Sequence, residues 1–254
     1  MSSSNKLFFQ IPYEFDINQV HSRIDCQLKE KEKGYICVSD GVILSKVVHD
    51  KDYRTTIQNS LFSICDSGWV PLFMKWIYGK KVVQYCGSDI FRDYIQACKY
   101  KMAFLGSSQS VLNSLKDNLC KIDPRIADML FWELPFNKVE EFDYPAIADR
   151  LNKEHCDLIW VALGAPKQER FMELLEPHLN RGVMLGVGAV FNFFGNQRIR
   201  RAPNWMIRCK MEFLYRIICE PKKQLKRCCL IVWTIPGLLI REYWKVHFGK
   251  ETTT

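Results

Sequence analysis

The sequence predicts an α/β fold: a Rossmann-like parallel sheet with helices on both faces, followed by a basic, amphipathic helical C-terminal appendage. Three observations predict it. Short apolar runs end again and again in turns rich in Gly, Ser or Asp. Several of those turns lead into segments with helical apolar spacing. The chain's surplus of positive charge lies in its last fifth. Apolar runs that are continuous rather than alternating belong to strands covered on both faces. Strand, tight turn and helix in repetition make a parallel, doubly wound sheet.

The elements follow in order. Gln19 to Glu32 is polar and charged, with Val20, Ile24 and Leu28 four apart, and reads as an amphipathic helix. Tyr35–Val38 is a strand ending in Ser39-Asp40-Gly41, and Leu61–Cys65 is a second, ending in Asp66-Ser67-Gly68. Val82–Cys86 reads as a third strand, running into Gly87-Ser88-Asp89 and a helix to Ala97. Lys101–Leu105 leads through Gly106-Ser107-Ser108 into a helix with Val111, Leu112, Leu115 and Leu119 on one face. Leu158–Leu163 leads through Gly164-Ala165-Pro166 into a helix that Pro177 should stop near Glu176. Val183–Phe191 is the last strong strand. Beyond Arg198 two apolar-plus-basic stretches follow, with Pro221 as the break and Leu225–Trp244 as the second. The expected division is a catalytic domain over 1–197 and the appendage over 198–254.

Composition narrows the function classes. Of 254 residues, 48% are hydrophobic and 25% charged, which is globular and excludes a disordered or collagen-like chain. The longest uncharged apolar run, Cys228–Ile240, contains Pro236 and Gly237 and is shorter than the roughly 18–20 residues that span a bilayer. No secretory signal is visible at the N-terminus. Eleven cysteines without a pairing rhythm suit a reducing compartment. Five widely spaced histidines give no zinc pattern. The net charge is +8, yet Arg198–Lys250 alone holds 13 Lys/Arg against three Glu. That segment calls for an anionic partner. Trp, Leu and Ile interleaved with Lys and Arg read as a membrane-surface helix, and no nucleic-acid-binding motif is present.

Ligands of such a sheet bind beyond the carboxyl ends of its strands. Asp66 and Asp40 stand there, each fit to serve as a general base or equally as a helix cap. Gly106-Ser107-Ser108 offers either a phosphate-binding helix N-terminus or a plain connection. Gly164-Ala-Pro-Lys-Gln-Glu-Arg either aims Lys167 and Gln168 at a diphosphate or simply starts a helix with a solvated turn. Asn192 is a polar residue among aromatics. Asp50-Lys51-Asp52 has the form of a metal-binding acidic pair, but its surroundings favour a solvated helix face.

Taken together, several motifs resemble the WecG/TagA/CpsF family of bacterial glycosyltransferases. They are Asp66-Ser-Gly, Gly87-Ser-Asp-Ile-Phe, Val161-Ala-Leu-Gly-Ala-Pro-Lys-Gln-Glu, Gly186-Val-Gly-Ala-Val-Phe-Asn-Phe, Arg201-Ala-Pro-Asn-Trp-Met, Glu212-Phe-Leu-Tyr-Arg and Glu220-Pro-Lys. The resemblance spans roughly residues 10–230. It implies an inverting, metal-independent enzyme without cofactor that moves N-acetylmannosamine or a related sugar. The donor would be a UDP-sugar and the acceptor a polyprenyl-diphosphate-linked sugar, at the cytoplasmic face of the membrane, in teichoic acid, capsule or exopolysaccharide synthesis. It makes Asp66 the catalytic base and Gln168 a family site residue, and it bears on Asp40, Gln84 and Asn192. With the crevice residues Gly106, Ser107, Gly164 and Lys167 and with Arg216 of the basic segment, these are the expected substrate contacts. The chain departs from the family pattern where Cys65 and Ser67 flank the base. Gln84 replaces an Arg, Asn192 an Asp, and Val38 and Asp40 a Thr-x-Asn pair. The rival readings are a nucleic-acid-binding module built on the basic tail and a nucleotide-binding protein without catalysis.

Overall fold

The computed structural model describes residues 6–195 and 221–248. It contains a six-stranded, wholly parallel sheet in the order β2-β1-β6-β5-β3-β4. The strands are β1 (Lys33–Ser39), β2 (Phe62–Cys65), β3 (Met102–Gly106), β4 (Leu130–Trp132), β5 (Leu158–Ala162) and β6 (Gly182–Gly186). The helices are α1 (Ile17–Lys29), α2 (Gly41–His49), α3 (Lys51–Gln58), α4 (Val70–Tyr78), α5 (Gly87–Gln96), α6 (Gln109–Leu119), α7 (Tyr144–Lys153), α8 (Lys167–Leu175), α9 (Val190–Gly195) and α10 (Pro221–Phe248).

Each strand divides its side chains between two cores, as a period of two requires. Tyr35 and Cys37 of β1, Leu105 of β3, Val161 of β5 and Met184 of β6 face one core, which α2, α3, α4, α7, α8 and α10 close. Ile36, Val38, Phe104, Trp160 and Leu185 face the other, closed by α1, α5, α6 and α9. Apolar residues on both faces are what made these runs continuous in sequence. Asp16 caps α1 by accepting from Asn18 N at 2.9 Å, and Val20, Ile24 and Leu28 form its buried stripe.

Two expected strands are corrected. Val82–Cys86 is irregular, although Tyr85 N donates to Cys65 O at 3.0 Å. The reason lies at the sheet edge: Ser63 N donates to Pro12 O and Glu14 N to Ser63 O, so residues 12–14 already occupy the outer side of β2. The run at 183–191 is a strand only to Gly186. Gly188 turns the chain with φ +55°, and Val190–Gly195 is helical.

The second C-terminal stretch is longer than its apolar pattern suggested: α10 begins at Pro221 and runs through Pro236 to Phe248. One side is built into the core. Ile235 and Leu238 are buried, Ile231 lies against Gly41, and a Cβ at that glycine would come within 2.9 Å of the Ile231 side chain. His49 bonds Thr234 at 3.1 Å, Tyr78 donates to Glu242, and Trp76 stacks on Tyr243 at 5.5 Å. The other side is exposed and apolar: Leu225, Val232, Trp233, Ile240, Trp244 and Phe248. Trp69, Leu72 and Trp76 of the α4 region are exposed too. No helix among the described residues is long and apolar enough to cross a membrane.

Candidate active site

The carboxyl ends of β2, β1, β6, β5 and β3 line up along one rim of the sheet. At the centre of that rim the chain parts: β1 leads into α2 on one face, and its neighbour β6 leads through Gly188 to α9 on the other. Such a divergence opens the crevice where ligands of parallel sheets sit.

Asp66 and Asp40 stand side by side on this rim. Asp66 N donates to Ser39 O at 3.1 Å, and Ser39 pairs with Cys65 across β1 and β2. Asp66 is half-buried, and its Oδ1 accepts from Gly87 N, the first residue of α5, at 2.9 Å. A carboxylate at a helix N-terminus meets unpaired N–H groups and the positive end of the helix dipole. Gln84 also serves this turn, donating through Nε2 to Asp66 O at 2.7 Å. Asp40 is occupied differently: its Oδ1 accepts from Val42 N and Ile43 N at 2.9 and 3.0 Å, so it caps α2. Both carboxylates thus hold helix N-termini, but Asp40 caps its own helix and Asp66 one that begins 21 residues later.

Tyr13, which sequence reasoning passed over, completes this end. The 12–14 segment lies along β2 and buries its ring against Phe15. Burial, with Cys65, Asp40 and Asp66 nearby, pushes the Tyr13 phenol well above its usual value. Tyr13 therefore stays a neutral donor beside two acids.

The second part of the rim is held by Gln168 and Glu169. Both side chains are buried. Gln168 Oε1 accepts from Gly164 N at 3.2 Å, while its Nε2 donates to Gly186 O at 3.1 Å and to Glu169 Oε1 at 2.7 Å. Glu169 Oε2 accepts from Tyr53 Oη of α3 at 3.0 Å. The expected outward-pointing donors of Gln168 are thus turned inward, tying the ends of β5 and β6 together. Lys167 is also engaged elsewhere: its ammonium donates to Asn137 O and lies 5.3 and 5.0 Å from the Phe136 and Phe142 rings. The signal for Gln168 was present in the helical spacing, since it lies four and seven residues before the buried Met172 and Leu175. Glu169, one residue on, carried no such signal.

Burial pushes the Glu169 carboxyl from 4.5 up to about 7, against the bonds from Gln168 and Tyr53, which favour its charge. A raised carboxyl pKa means the folded chain holds one more proton than the unfolded chain between those two values. This contribution to stability is therefore full below pH 4.5 and lost as pH rises towards 7, a change on the order of 3 kcal/mol. Glu169→Gln removes the titration. Its thermal midpoint, measured beside the wild type, should gain on it from pH 5 to about pH 7 and then hold level. A gap that stays constant over that range overturns the assignment.

Other sequence candidates fall as follows. Gly106 and Ser107 both have positive φ, +90° and +64°, and a Cβ at Gly106 would lie 3.0 Å from Ala162 O. They form the rim at β3, but Gln109 N in the first turn of α6 donates to Glu133 Oε2 at 3.0 Å. That carboxylate sits where a phosphate would be bound. Asn192 is half-buried on α9. The α9 start and the α5 start meet at Val190, Val38 and Gly87. Asp50 caps α3 by accepting from Tyr53 N at 2.9 Å, in accord with a helix-surface reading of Asp50-Lys51-Asp52. Arg216, with the motifs at 201–206 and 212–216, lies outside the described residues. Among the described residues, no three His, Cys, Asp or Glu side chains gather into a metal-binding group. The shallow depression lined by Gln109, Asn113, Asp128 and Arg150 lies by β4, at the edge of the sheet opposite Asp66.

Comparison with known proteins matches residues 8–248 to the glycosyl transferase WecG/TagA/CpsF family. Among curated relatives, an N-acetylglucosaminyldiphosphoundecaprenol N-acetyl-beta-D-mannosaminyltransferase of Bacillus subtilis is 26% identical over 217 residues. That alignment covers 81% of this chain and 82% of the relative. A protein of the same name from Bacillus spizizenii is 23% identical over 206 residues, covering 80% and 78%.

Proposed function

Because the chain belongs to the WecG/TagA/CpsF family and is a glycosyltransferase, we propose that it transfers N-acetylmannosamine or a related sugar. The donor in this reading is a UDP-sugar, and the acceptor a sugar on undecaprenyl diphosphate. The observation that carries the reading is Asp66, set at the end of β2 and held by the α5 N-terminus beside Asp40. The names of the two relatives supply the sugar and the lipid-linked acceptor.

In the proposed reaction the acceptor hydroxyl oxygen attacks the anomeric carbon while the bond to UDP breaks on the opposite face. Asp66 takes the hydroxyl proton. The departing diphosphate needs aligned donors or positive charge. These would come from the rim at Gly106 and Ser107, from Arg216, and from Lys167 once it leaves the Asn137 carbonyl, while Gly164, whose N–H is held by Gln168 Oε1, shapes the wall of the site. Gln84, Asp40, Gln168 and Asn192 shape the donor side. Residues 1–197 form the catalytic domain and 198–254 the appendage in this reading. The exposed apolar faces of α10 and α4, with Arg241, Lys245 and Lys75 exposed among them, support a peripheral place on the inner face of the cytoplasmic membrane. A capsule, exopolysaccharide or teichoic acid is the fitting product class.

The test is nucleotide release from a panel of UDP-sugars, with and without an N-acetylglucosaminyl-diphospholipid, in the presence of EDTA. One donor should release UDP only when the acceptor is present, and EDTA should leave the rate unchanged. No release from any donor would favour nucleotide binding without catalysis. Loss in EDTA restored by Mg²⁺ or Mn²⁺ would return Asp50 and Asp52 as metal ligands.

A further inference from the structure

The donor crevice, in the reading above, is bordered by the turns at Gly164 and Gly186, and one side-chain amide holds both. Gln168 spends its two N–H groups on Gly186 O and Glu169 Oε1, and its oxygen on Gly164 N. The partners dictate this orientation. Gly186 O and a carboxylate can only accept, and a backbone N–H can only donate. Turning the amide over would set donor against donor at Gly164 and acceptor against acceptor at Gly186. We propose that Glu169 is a positioning residue whose negative charge locks the Gln168 amide and, through it, the Gly164 turn of the donor site.

The geometry gives Glu169 no other obvious task. Its side chain is wholly buried, it touches neither Asp66 nor open solvent, and among the described residues no cation pairs with it. The groups that face it are Gln168 on its own helix, Tyr53 from α3, and Cys37 and Asp40 from β1 and its end. Gln168 and Tyr53 stabilise the charge, whereas burial and Asp40 oppose it. The bond to Gln168 at 2.7 Å is charge-assisted, and such bonds are roughly twice as strong as neutral ones. A proton on Oε1 makes that oxygen a donor facing a donor. A proton on Oε2 reverses the Tyr53 bond and removes the charge all the same. In the first case the bond from Gln168 to Oε1 is lost and in the second it falls to a weaker, neutral one. Either way the hold on the Gln168 amide slackens, and with it the Gly164 turn. The titration range of Glu169 lies near neutrality, so the lock responds to ordinary changes of pH.

Two measurements test this on the full chain. The first follows the Gln168 side-chain amide by ¹⁵N NMR from pH 5.5 to 8.5. In the wild type its resonances should move with a midpoint of about 7. In Glu169→Gln they should not titrate, and in Tyr53→Phe the midpoint should move to higher pH, because a bond favouring the charge is lost. The second follows UDP affinity by calorimetry over the same range. Relative to Glu169→Gln, the wild type should gain about tenfold between pH 6 and pH 8, the worth of one charge-assisted bond. A Gln168 amide that does not titrate overturns the proposal. So does a Tyr53→Phe midpoint that coincides with the wild type, and this variant decides the matter if Glu169→Gln does not fold. Failure of UDP to bind the wild type at any pH would count against the donor reading. The NMR result would then still decide the role of Glu169.

Discussion

Asp66→Asn should lower turnover by about 10²–10⁴ while leaving UDP binding and the fold intact. The expectation rests on separating the two tasks of this carboxylate. Structurally, Oδ1 accepts from Gly87 N at the head of α5. An Asn oxygen accepts that bond equally well, and Asn is among the best residues at helix N-termini. Chemically, an amide oxygen does not take up the proton of an attacking hydroxyl. A loss in turnover without a loss in thermal stability therefore isolates the chemistry. Asp66→Ala is the contrasting variant: it removes both tasks and should also destabilise, by about 1 kcal/mol for the lost cap. Asp40→Asn is the control across the rim. Its bonds to Val42 N and Ile43 N survive the change, and turnover should change little. Near-normal turnover in Asp66→Asn together with a dead Asp40→Asn would transfer the base to Asp40.

The contrast between these two acids shows how far sequence alone reaches. Both were visible as carboxylates just after buried strands, because a parallel sheet sends its strand ends to one rim. Nothing local distinguished them. The difference is made by Gly87, which is remote in sequence and comes to Asp66 only through the packing of α5 on the second core. The same limit explains the rest. The strand Leu130–Trp132 is too short to show a period, and it sits at the sheet edge beside β3. Val82–Cys86 has strand-like residues but no vacant edge, since residues 12–14 took it. Glu169, flanked by Lys167, Gln168 and Arg170, looks like part of a solvated helix start and is wholly buried. One of its polar partners, Tyr53, comes from more than a hundred residues away. Periodicity reports the face a residue is on, and it is silent about polar partners that arrive from elsewhere in the chain.

On anionic vesicles, replacing Trp233 and Trp244 by Ala should weaken binding of the full chain by at least about 30-fold without unfolding it. The pair is chosen because deleting α10 would be uninformative. Its inner side carries Ile235, Leu238 and Glu242, all buried against α2 and α4, and removing them would open the core. The outer side carries no such duty. Trp233 is 86% exposed and Trp244 59%, on the same face as Val232, Ile240 and Phe248. A Trp buries about 150–250 Å² when covered, and at about 25 cal/mol per Å² even half of that contributes roughly 2 kcal/mol. That is about 30-fold for one ring, before the second is counted. Exposed Arg241 and Lys245 lie on the same helix, and each contributes about 1 kcal/mol near an anionic surface until salt screens it. Binding should therefore fall again in high salt, and neutral vesicles should bind less. Trp69 and Trp76 extend the apolar face to α4, which begins four residues after Asp66. A bilayer meeting this face would lie near the end of the rim that holds Asp66, the proposed base, where the proposed acceptor, tethered through a diphosphate, would present its hydroxyl. Unchanged vesicle binding by the double variant would remove the membrane role from this face. Loss of a dimer in the same variant, seen by sedimentation, would assign the face to a second copy of the chain instead.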